Sequence, residues 1–359
     1  MKIAQIAPLY ESVPPKMYGG TERVVSYLTE ELVRQGHDVT LFASADSRTH
    51  ARLVAPDLPA LRLGGQQVSD VAAHFLLLEQ VLRCADNFDV LHFHVDFLHF
   101  PFTRRERTNH LTTLHGRLDL NGLKPLYEEY WDQPVVSISA SQRRDLPHAL
   151  WVGTVPHGLP ADLYTLGKGD GGYLLFLGRI TAEKGIEDAI AIAKAVGIPL
   201  HIAAKVDPAD REYFEARIKP LLGDDLVVYV GEVNEQEKNT LLGEALALLF
   251  PIDWPEPFGL VMIEAMACGT PTIAYRRGSV PEVIEEGLTG RIVEGRAAAI
   301  AAIADIERMD RRAVRTRFLE RFTAARMAGD YVQLYRTIGR PAVEYGRITA
   351  TVARGSVAA

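Results

Sequence analysis

Residues 251–275 read PIDWPEPFGLVMIEAMACGTPTIAY, and their punctuation sets the architecture around them. Pro251, Pro255 and Pro257 lack a backbone donor and press the residue before each into extended conformation, so the stretch opens as a loop. A helix is predicted from near Phe258, with Leu260, Ile263 and Ala267 at helical spacing. Gly269 and then Pro271 end it. Residues 270–275 read as a short buried strand. Two acids sit on this frame, Glu256 in the loop and Glu264 inside the helix among Val261, Met262, Ile263, Ala265 and Met266. A carboxylate in so apolar a helix needs a partner. A helix N-terminus offers N–H groups and a positive dipole end, which suit a phosphate. Acids on either side of a bound diphosphate can hold hydroxyls, and a nucleotide sugar offers them: ribose on one side, sugar on the other. The plainer alternative is a pair of solvated acids.

Outward from this unit the same alternation recurs. In the second half, residues 173–177, 200–203, 226–230 and 247–250 read as strands, separated by helical segments such as 186–196. In the first half the strands are 3–7, 39–43, 90–93, 111–114 and 135–138. Thr21 is placed to cap a helix over 21–35 with Val24, Val25, Leu28 and Leu32 on one face, stopped by Gly36. A second helix is predicted over 71–84. Alternating strand and helix over both halves predicts two α/β domains with parallel sheets. The glycine-rich 164–172 (YTLGKGDGG) is the linker candidate between them.

Polar residues follow the first-half strands: His92, His94 and Asp96; His115 and Gly116; Ser139 and Ser141. In a parallel sheet ligands bind at strand C-termini. His94 and Asp96 can also simply pair with each other. The loop over 8–20 carries Pro8, Pro14, Pro15, Gly19 and Gly20, where glycine allows either a flexible turn or close approach of a ligand to the backbone. Neither G-x-G-x-x-G nor a Walker lysine is present, which disfavours an ordinary dinucleotide fold or P-loop. After the first strand of the second half come Gly178-Arg179 and Glu183-Lys184-Gly185, two cations where a sheet directs its ligands. They can neutralise a diphosphate without a metal.

The totals narrow the class. The 359 residues suit two domains, and 47% hydrophobic with 24% charged residues is ordinary for a soluble globular protein. A net charge of −7 argues against a nucleic-acid partner. Cys84 and Cys268 fall in no metal-ligand spacing and read as free thiols of a reducing compartment, so a cytoplasmic protein is expected. MKIAQIAPLY has no signal-peptide core, and no apolar run reaches the ~20 residues of a membrane span. From Asp305 to Arg354 there are eleven arginines against six acids, with Met327, Tyr331, Leu334, Tyr335 and Ile338 at helical spacing. A helix packed across the domains with a solvated basic face is preferred to a peripheral membrane-surface helix.

EPFGLVMIEAMACGTP at 256–271 resembles the E-x7-E segment of retaining glycosyltransferases of family 4, which have the GT-B fold. GRITAEKG at 178–185 is similar to that family's G-R-x-x-x-x-K-G segment. GEV at 231–233, G-x-x-P-E-V from Gly278 to Val283 (with Ser279, Pro281 and Glu282) and LHG at 114–116 fit the same family. The resemblance spans about residues 1–340. It implies two Rossmann-like domains with parallel sheets facing a central cleft: an acceptor-side domain at 1–165, a nucleotide-sugar domain at 166–325, a return helix at 326–345 that packs on the first domain, and a tail at 346–359. It implies that Arg179 and Lys184 hold the donor diphosphate, Glu264 the ribose and Glu256 the donor sugar. His115 would contact sugar hydroxyls and Gly19 and Gly20 would lie against the donor. Gly178, Glu232, Val233, Phe258, Gly259 and Leu260 complete the donor site, with His94 and Asp96 on the acceptor side.

The activity so implied is metal-independent, cofactor-free transfer of a hexose, with retention, from a nucleotide-diphosphate sugar. UDP-glucose is favoured and GDP-mannose stays open; the acceptor is a pterin, a lipid or a saccharide. APLYESVPPKMYGGTERVV at 7–25 looks like a bacterial subgroup labelled UDP-glucose:tetrahydrobiopterin glucosyltransferase. The alternatives are a nucleotide-sugar epimerase, which needs no acceptor, a phosphorylase, which needs inorganic phosphate, and a module that binds a nucleotide sugar without turnover.

Overall fold

The computed structural model describes residues 1–17, 19–62, 69–105, 109–223 and 225–338. Its first sheet runs, edge to edge, β3 (Arg52–Val54), β2 (Asp38–Phe42), β1 (Lys2–Ile6), β4 (Val90–Phe93), β5 (His110–Thr113), β6 (Pro134–Ser137) and β7 (Leu150–Thr154). Its second runs β10 (Val227–Gly231), β9 (Leu200–Lys205), β8 (Leu174–Arg179), β11 (Ala247–Phe250), β12 (Thr272–Tyr275) and β13 (Gly290–Val293). Every pairing is parallel. Strands β4, β5, β6, β11 and β12 are buried at every residue, because helices cover both faces of such sheets and the strands therefore read as apolar runs rather than alternations.

Helices α1 (Gly20–Arg34), α2 (Asp70–Leu82), α3 (Phe100–Thr103) and α4 (Leu123–Glu129) belong to the first half. The second half carries α5 (Ile186–Val196), α6 (Arg211–Tyr213), α7 (Glu235–Glu244), α8 (Leu260–Ala267), α9 (Val280–Val283), α10 (Arg296–Ile306) and α11 (Arg311–Arg321). Helix α12 (Ala324–Thr337) then returns to the first domain. It packs on α1, and its Met327, Ala328, Tyr331, Val332 and Tyr335 share one buried cluster with Ile3, Leu28, Val90 and Val136. Burying a large apolar side chain is worth about 1.5–3 kcal/mol, so this stripe holds the helix in place. The expected tail at 346–359, and the end of the return segment, lie outside the described residues.

Several expectations need correction. Thr21 is not the cap of α1; the helix begins at Gly20 with Gly19 as N-cap. Helix α8 begins at Leu260, two residues past Phe258, with Gly259 as its N-cap at a left-handed φ of +79°. Three strands have no counterpart in the sequence reading. β3 is only three residues long, β7 is a partly exposed edge, and β13 (GRIV) opens with glycine and arginine. The glycine-rich linker candidate is anchored at two points. Tyr164 is 1% exposed, and a Cβ on Gly167 would lie 2.1 Å from the Gly243 carbonyl. The basic C-terminal face is only partly solvated. Arg311 donates to the carbonyls of Gly167, Gly243 and Ala245, Arg315 to those of Tyr164 and Ala267, and Arg326 to those of Pro156 and His157.

Candidate active site

Both sheets reverse strand order beside their first strand, at β1/β4 and at β8/β11. Loops leaving neighbouring strands diverge at such a switch point and leave a crevice beyond the carboxyl ends. The two crevices face each other and form one cleft of about 750 Å³. Its wall includes Gly19, Gly20, His94, Asp96 and His115 from the first half. From the second come Gly178, Arg179, Lys184, Glu232, Val233, Glu256, Phe258, Gly259, Leu260 and Glu264. The cleft thus brings together the residues assigned above to the donor and acceptor sites, while His92, Ser139 and Ser141 lie off its wall.

Two cations of this wall already have carboxylate partners. Lys184 Nζ lies 2.6 Å from Glu256 Oε2 and sits over the rings of Trp254 and Phe250, at 5.1 and 5.8 Å. Arg179 lies 3.4 Å from Asp207. Gly278 explains the downstream glycine. Its φ is +51°, and a Cβ there would come within 2.4 Å of the Glu256 backbone, so the glycine lets this loop press against the carboxylate's backbone. Ser279 Oγ donates to the Phe258 carbonyl.

Glu264 is 3% exposed, and its partner is Lys238, at 2.9 Å. Tyr164 OH donates to Glu235 at 2.6 Å and lies 3.4 Å from Glu264. Arg23, on α1 of the first domain, reaches across to Glu235 at 2.7 Å. Burial disfavours the Lys238 charge, but Glu264 and Glu235 outweigh it and raise its pKa above the ordinary lysine value. Sequence reasoning missed Arg23, Tyr164, Glu235 and Lys238. Asn234 and Glu237 form a capping box that marks α7, yet nothing local distinguishes Lys238 from an exposed helix lysine.

On the first-domain side His115 Nε2 lies 2.9 Å from His94 Nδ1, and His94 Nε2 lies 2.8 Å from Gln5 Oε1. Both His94 nitrogens are therefore taken, and the expected His94–Asp96 pair is replaced by this chain. Burial pushes His115 down to about 3 and His94 well below the usual histidine value, so both rings are neutral at pH 7. His157 stacks on His115 at 5.1 Å and 18°, and Nδ1 of each ring is buried without a hydrogen-bond partner among the described residues. Asp96 has a φ of +50°. It is open to the cleft yet ringed by protein, which pushes its carboxyl up to about 6.

Two further contacts cross the cleft. Glu282 accepts from the backbone N–H groups of Ala140 and Ser141 at 2.6 and 2.7 Å, and Arg117 pairs with Glu183 at 2.9 Å. Among the described residues no group of three His, Cys, Asp or Glu side chains can hold a metal ion, and no helix is long and apolar enough to cross a membrane. Cys84 and Cys268 are both free.

The family model for glycosyl transferases group 1 matches residues 165–320, and that for glycosyltransferase family 4 matches residues 18–152. An uncharacterized 41.2 kDa protein in the cps region of Klebsiella pneumoniae is 31% identical over 170 residues, 46% of this chain and 46% of its own. The chain thus spans about half the length of that relative. The alpha-maltose-1-phosphate synthase of Mycolicibacterium smegmatis is 25% identical over 401 residues, covering 93% of this chain and 99% of its own. The crystal structure of HepE from Anabaena, in complex with UDP and glucose, has a TM-score of 0.72 at 16% identity, over 93% of this chain and 98% of that one. With one family model on each side of the cleft and this two-sheet architecture, the chain belongs to the glycosyltransferases of the GT-B fold.

Proposed function

We propose that this protein is a retaining hexosyltransferase that takes a hexose from a nucleotide-diphosphate sugar, UDP-glucose first among the candidates, without a metal. One observation carries the reading: Glu256 and Glu264 flank the N-terminus of α8 in a cleft that also holds Lys184 and Arg179. In this reading the diphosphate lies at that N-terminus and draws Lys184 and Arg179 from Glu256 and Asp207. Glu264 holds the ribose, and Glu256, released from Lys184, holds the sugar. The bond from the anomeric carbon to the diphosphate breaks, and the bond to the acceptor oxygen forms on the same face. The leaving diphosphate takes the acceptor proton. The protein supplies charge stabilisation and positioning.

With both His94 nitrogens occupied, Asp96 is the acceptor-side residue, receiving a hydroxyl from a pterin, a lipid or a saccharide. The resemblance of residues 7–25 to the tetrahydrobiopterin subgroup puts the pterin first. The test is a thermal-shift panel of UDP-, GDP- and ADP-sugars followed by NMR of the fresh product. A ligand at a hundred times its Kd stabilises by about 2.7 kcal/mol. The largest shift is expected with UDP-glucose, and the product's coupling constant should report the donor's anomeric configuration. No shift with any nucleotide sugar would refute the reading, and an inverted anomer would refute retention.

Because Lys184 and Arg179 supply the positive charge, activity is expected to survive EDTA in full. Loss with chelator and recovery with Mg²⁺ or Mn²⁺ would show that a metal shares that role.

A further inference from the structure

Lys184 and Glu256 are carried by two separate segments of the second domain, and one side chain of the first domain touches both. The turn Ala182–Lys184 holds Glu183 and Lys184. The loop at 253–256 holds Trp254 and Glu256. Asp253 N–H donates to the Glu183 carbonyl at 2.8 Å, which ties the two segments together. Arg117 follows β5 and reaches across from the first domain. Its Nη1 donates to Glu183 Oε1 at 2.9 Å, and its guanidinium carbon lies 5.2 Å from the centre of the Trp254 ring. Its Nε and Nη2 donate to the two Asp119 oxygens, each at 2.7 Å. A bidentate fork of this kind fixes the plane of the guanidinium. Arg117, Glu183 and Trp254 all lie off the cleft wall.

Lys184 itself has three supports: the Glu256 carboxylate at 2.6 Å and the rings of Trp254 and Phe250 at 5.1 and 5.8 Å. In the reading given above, the donor diphosphate draws Lys184 from Glu256. The carboxylate support is then lost when the ammonium is needed, and the two rings remain. A cation within about 6 Å of an indole centre is attracted to the face of the ring, so the place of Trp254 bears directly on the place of Lys184. Trp254 Nε1 is buried without a hydrogen-bond partner among the described residues. The indole is therefore held by packing on the second-domain core and by the Arg117 guanidinium.

We propose that Arg117 is a positioning residue. From the first domain it steadies the Trp254 ring and the Glu183 turn, and through them it holds Lys184 where the departing diphosphate gathers charge. The inference rests on the reading of the cleft as a nucleotide-sugar site. His115 lies two residues before Arg117, so a single loop of the first domain serves the sugar side with its histidine and the phosphate side with its arginine. The Arg117 side chain is 33% exposed, and ion pairs so exposed contribute little to stability by themselves. Its effect is therefore expected in turnover rather than in folding.

The test uses the full chain and the donor that the panel of UDP-, GDP- and ADP-sugars identifies, with kcat read as release of the nucleoside diphosphate. Arg117→Ala is expected to lower kcat roughly three- to tenfold, the effect of one lost cation–π contact and one partly exposed ion pair. The Kd for the free nucleoside diphosphate should stay within about twofold of wild type, because Arg117 is off the wall that meets the nucleotide. Arg117→Lys keeps a cation over the indole and loses the fork, so it should recover part of the rate. Groups that act through one another give losses that do not multiply. Adding Arg117→Ala to Lys184→Ala should therefore lower kcat by less than about twofold more. Melting curves check that each variant is folded. An active enzyme whose Arg117→Ala variant keeps kcat within twofold of wild type overturns the proposal. So does a loss repeated in full on the Lys184→Ala background, and so does an equal loss of nucleoside diphosphate affinity. A wild type that turns over no nucleotide sugar sinks the transferase reading and this proposal with it, an outcome distinct from a silent Arg117→Ala in a working enzyme.

Discussion

Lys184→Ala is expected to lower kcat/KM with the nucleotide sugar by about 10²–10³-fold, the usual effect of removing one group that stabilises charge developing in a transition state. Lys184 is placed for this role by its surroundings. The rings of Trp254 and Phe250 hold its ammonium from one side, and Glu256 holds it from another at 2.6 Å. The substitution also strands Glu256, a 9% exposed carboxylate. An acid so placed loses its compensating charge and becomes costly to keep ionised. Lys184→Arg should recover part of the rate, since charge returns but the compact ammonium geometry does not. Steady-state kinetics of both variants, with melting curves to exclude unfolding, check the result. A rate within a factor of two of wild type for Lys184→Ala would mean that the cation does not meet the leaving group.

The two cleft glutamates are expected to separate by measurement. Glu264→Ala should weaken binding of the free nucleotide diphosphate roughly ten- to a hundredfold, since a charge-assisted hydrogen-bonding site is worth about 1.5–3 kcal/mol. Lys238 keeps Glu235 as a partner at 2.9 Å, so the helix should still fold. Glu256→Gln should leave diphosphate affinity nearly unchanged, because in this reading Glu256 meets the sugar rather than the diphosphate, and the amide oxygen can still accept from Lys184. Its effect should fall on kcat with the full donor, where the lost carboxylate no longer orients the reacting ring. Calorimetry with the diphosphate and steady-state rates for both variants decide the matter. Reversed outcomes would exchange the two roles, and two silent substitutions would reduce both acids to structural partners of Lys184 and Lys238.

Much of this site was legible in the chain because its residues are local. Gly178 to Lys184 span the end of one strand and the turn after it, and Glu256 to Glu264 span one loop and one helix start. Proline, glycine and apolar spacing mark such places within a single turn or two. The apolar neighbours of Glu264 announced that the acid is buried, though not what neutralises it. Edge strands were harder to read. β7 and β13 lack the continuous apolar run that double burial imposes on central strands.

The sequence by itself determined the two parallel-sheet domains, the turn chemistry before α8 and many, though not all, of the residues that meet at the cleft. These follow from hydrophobic periodicity and from backbone limits at proline and glycine, which act over a few residues. Only the tertiary structure decided the partners: Lys184 with Glu256, Lys238 and Arg23 around Glu264 and Glu235, and Tyr335 with Gln5. The Lys184–Glu256, Lys238–Glu264, Arg23–Glu235 and Gln5–Tyr335 contacts each join residues 26 or more positions apart. A charge or hydrogen bond acts through space over a few ångströms, so its partner is set by how the sheets and helices pack and leaves no mark in local spacing.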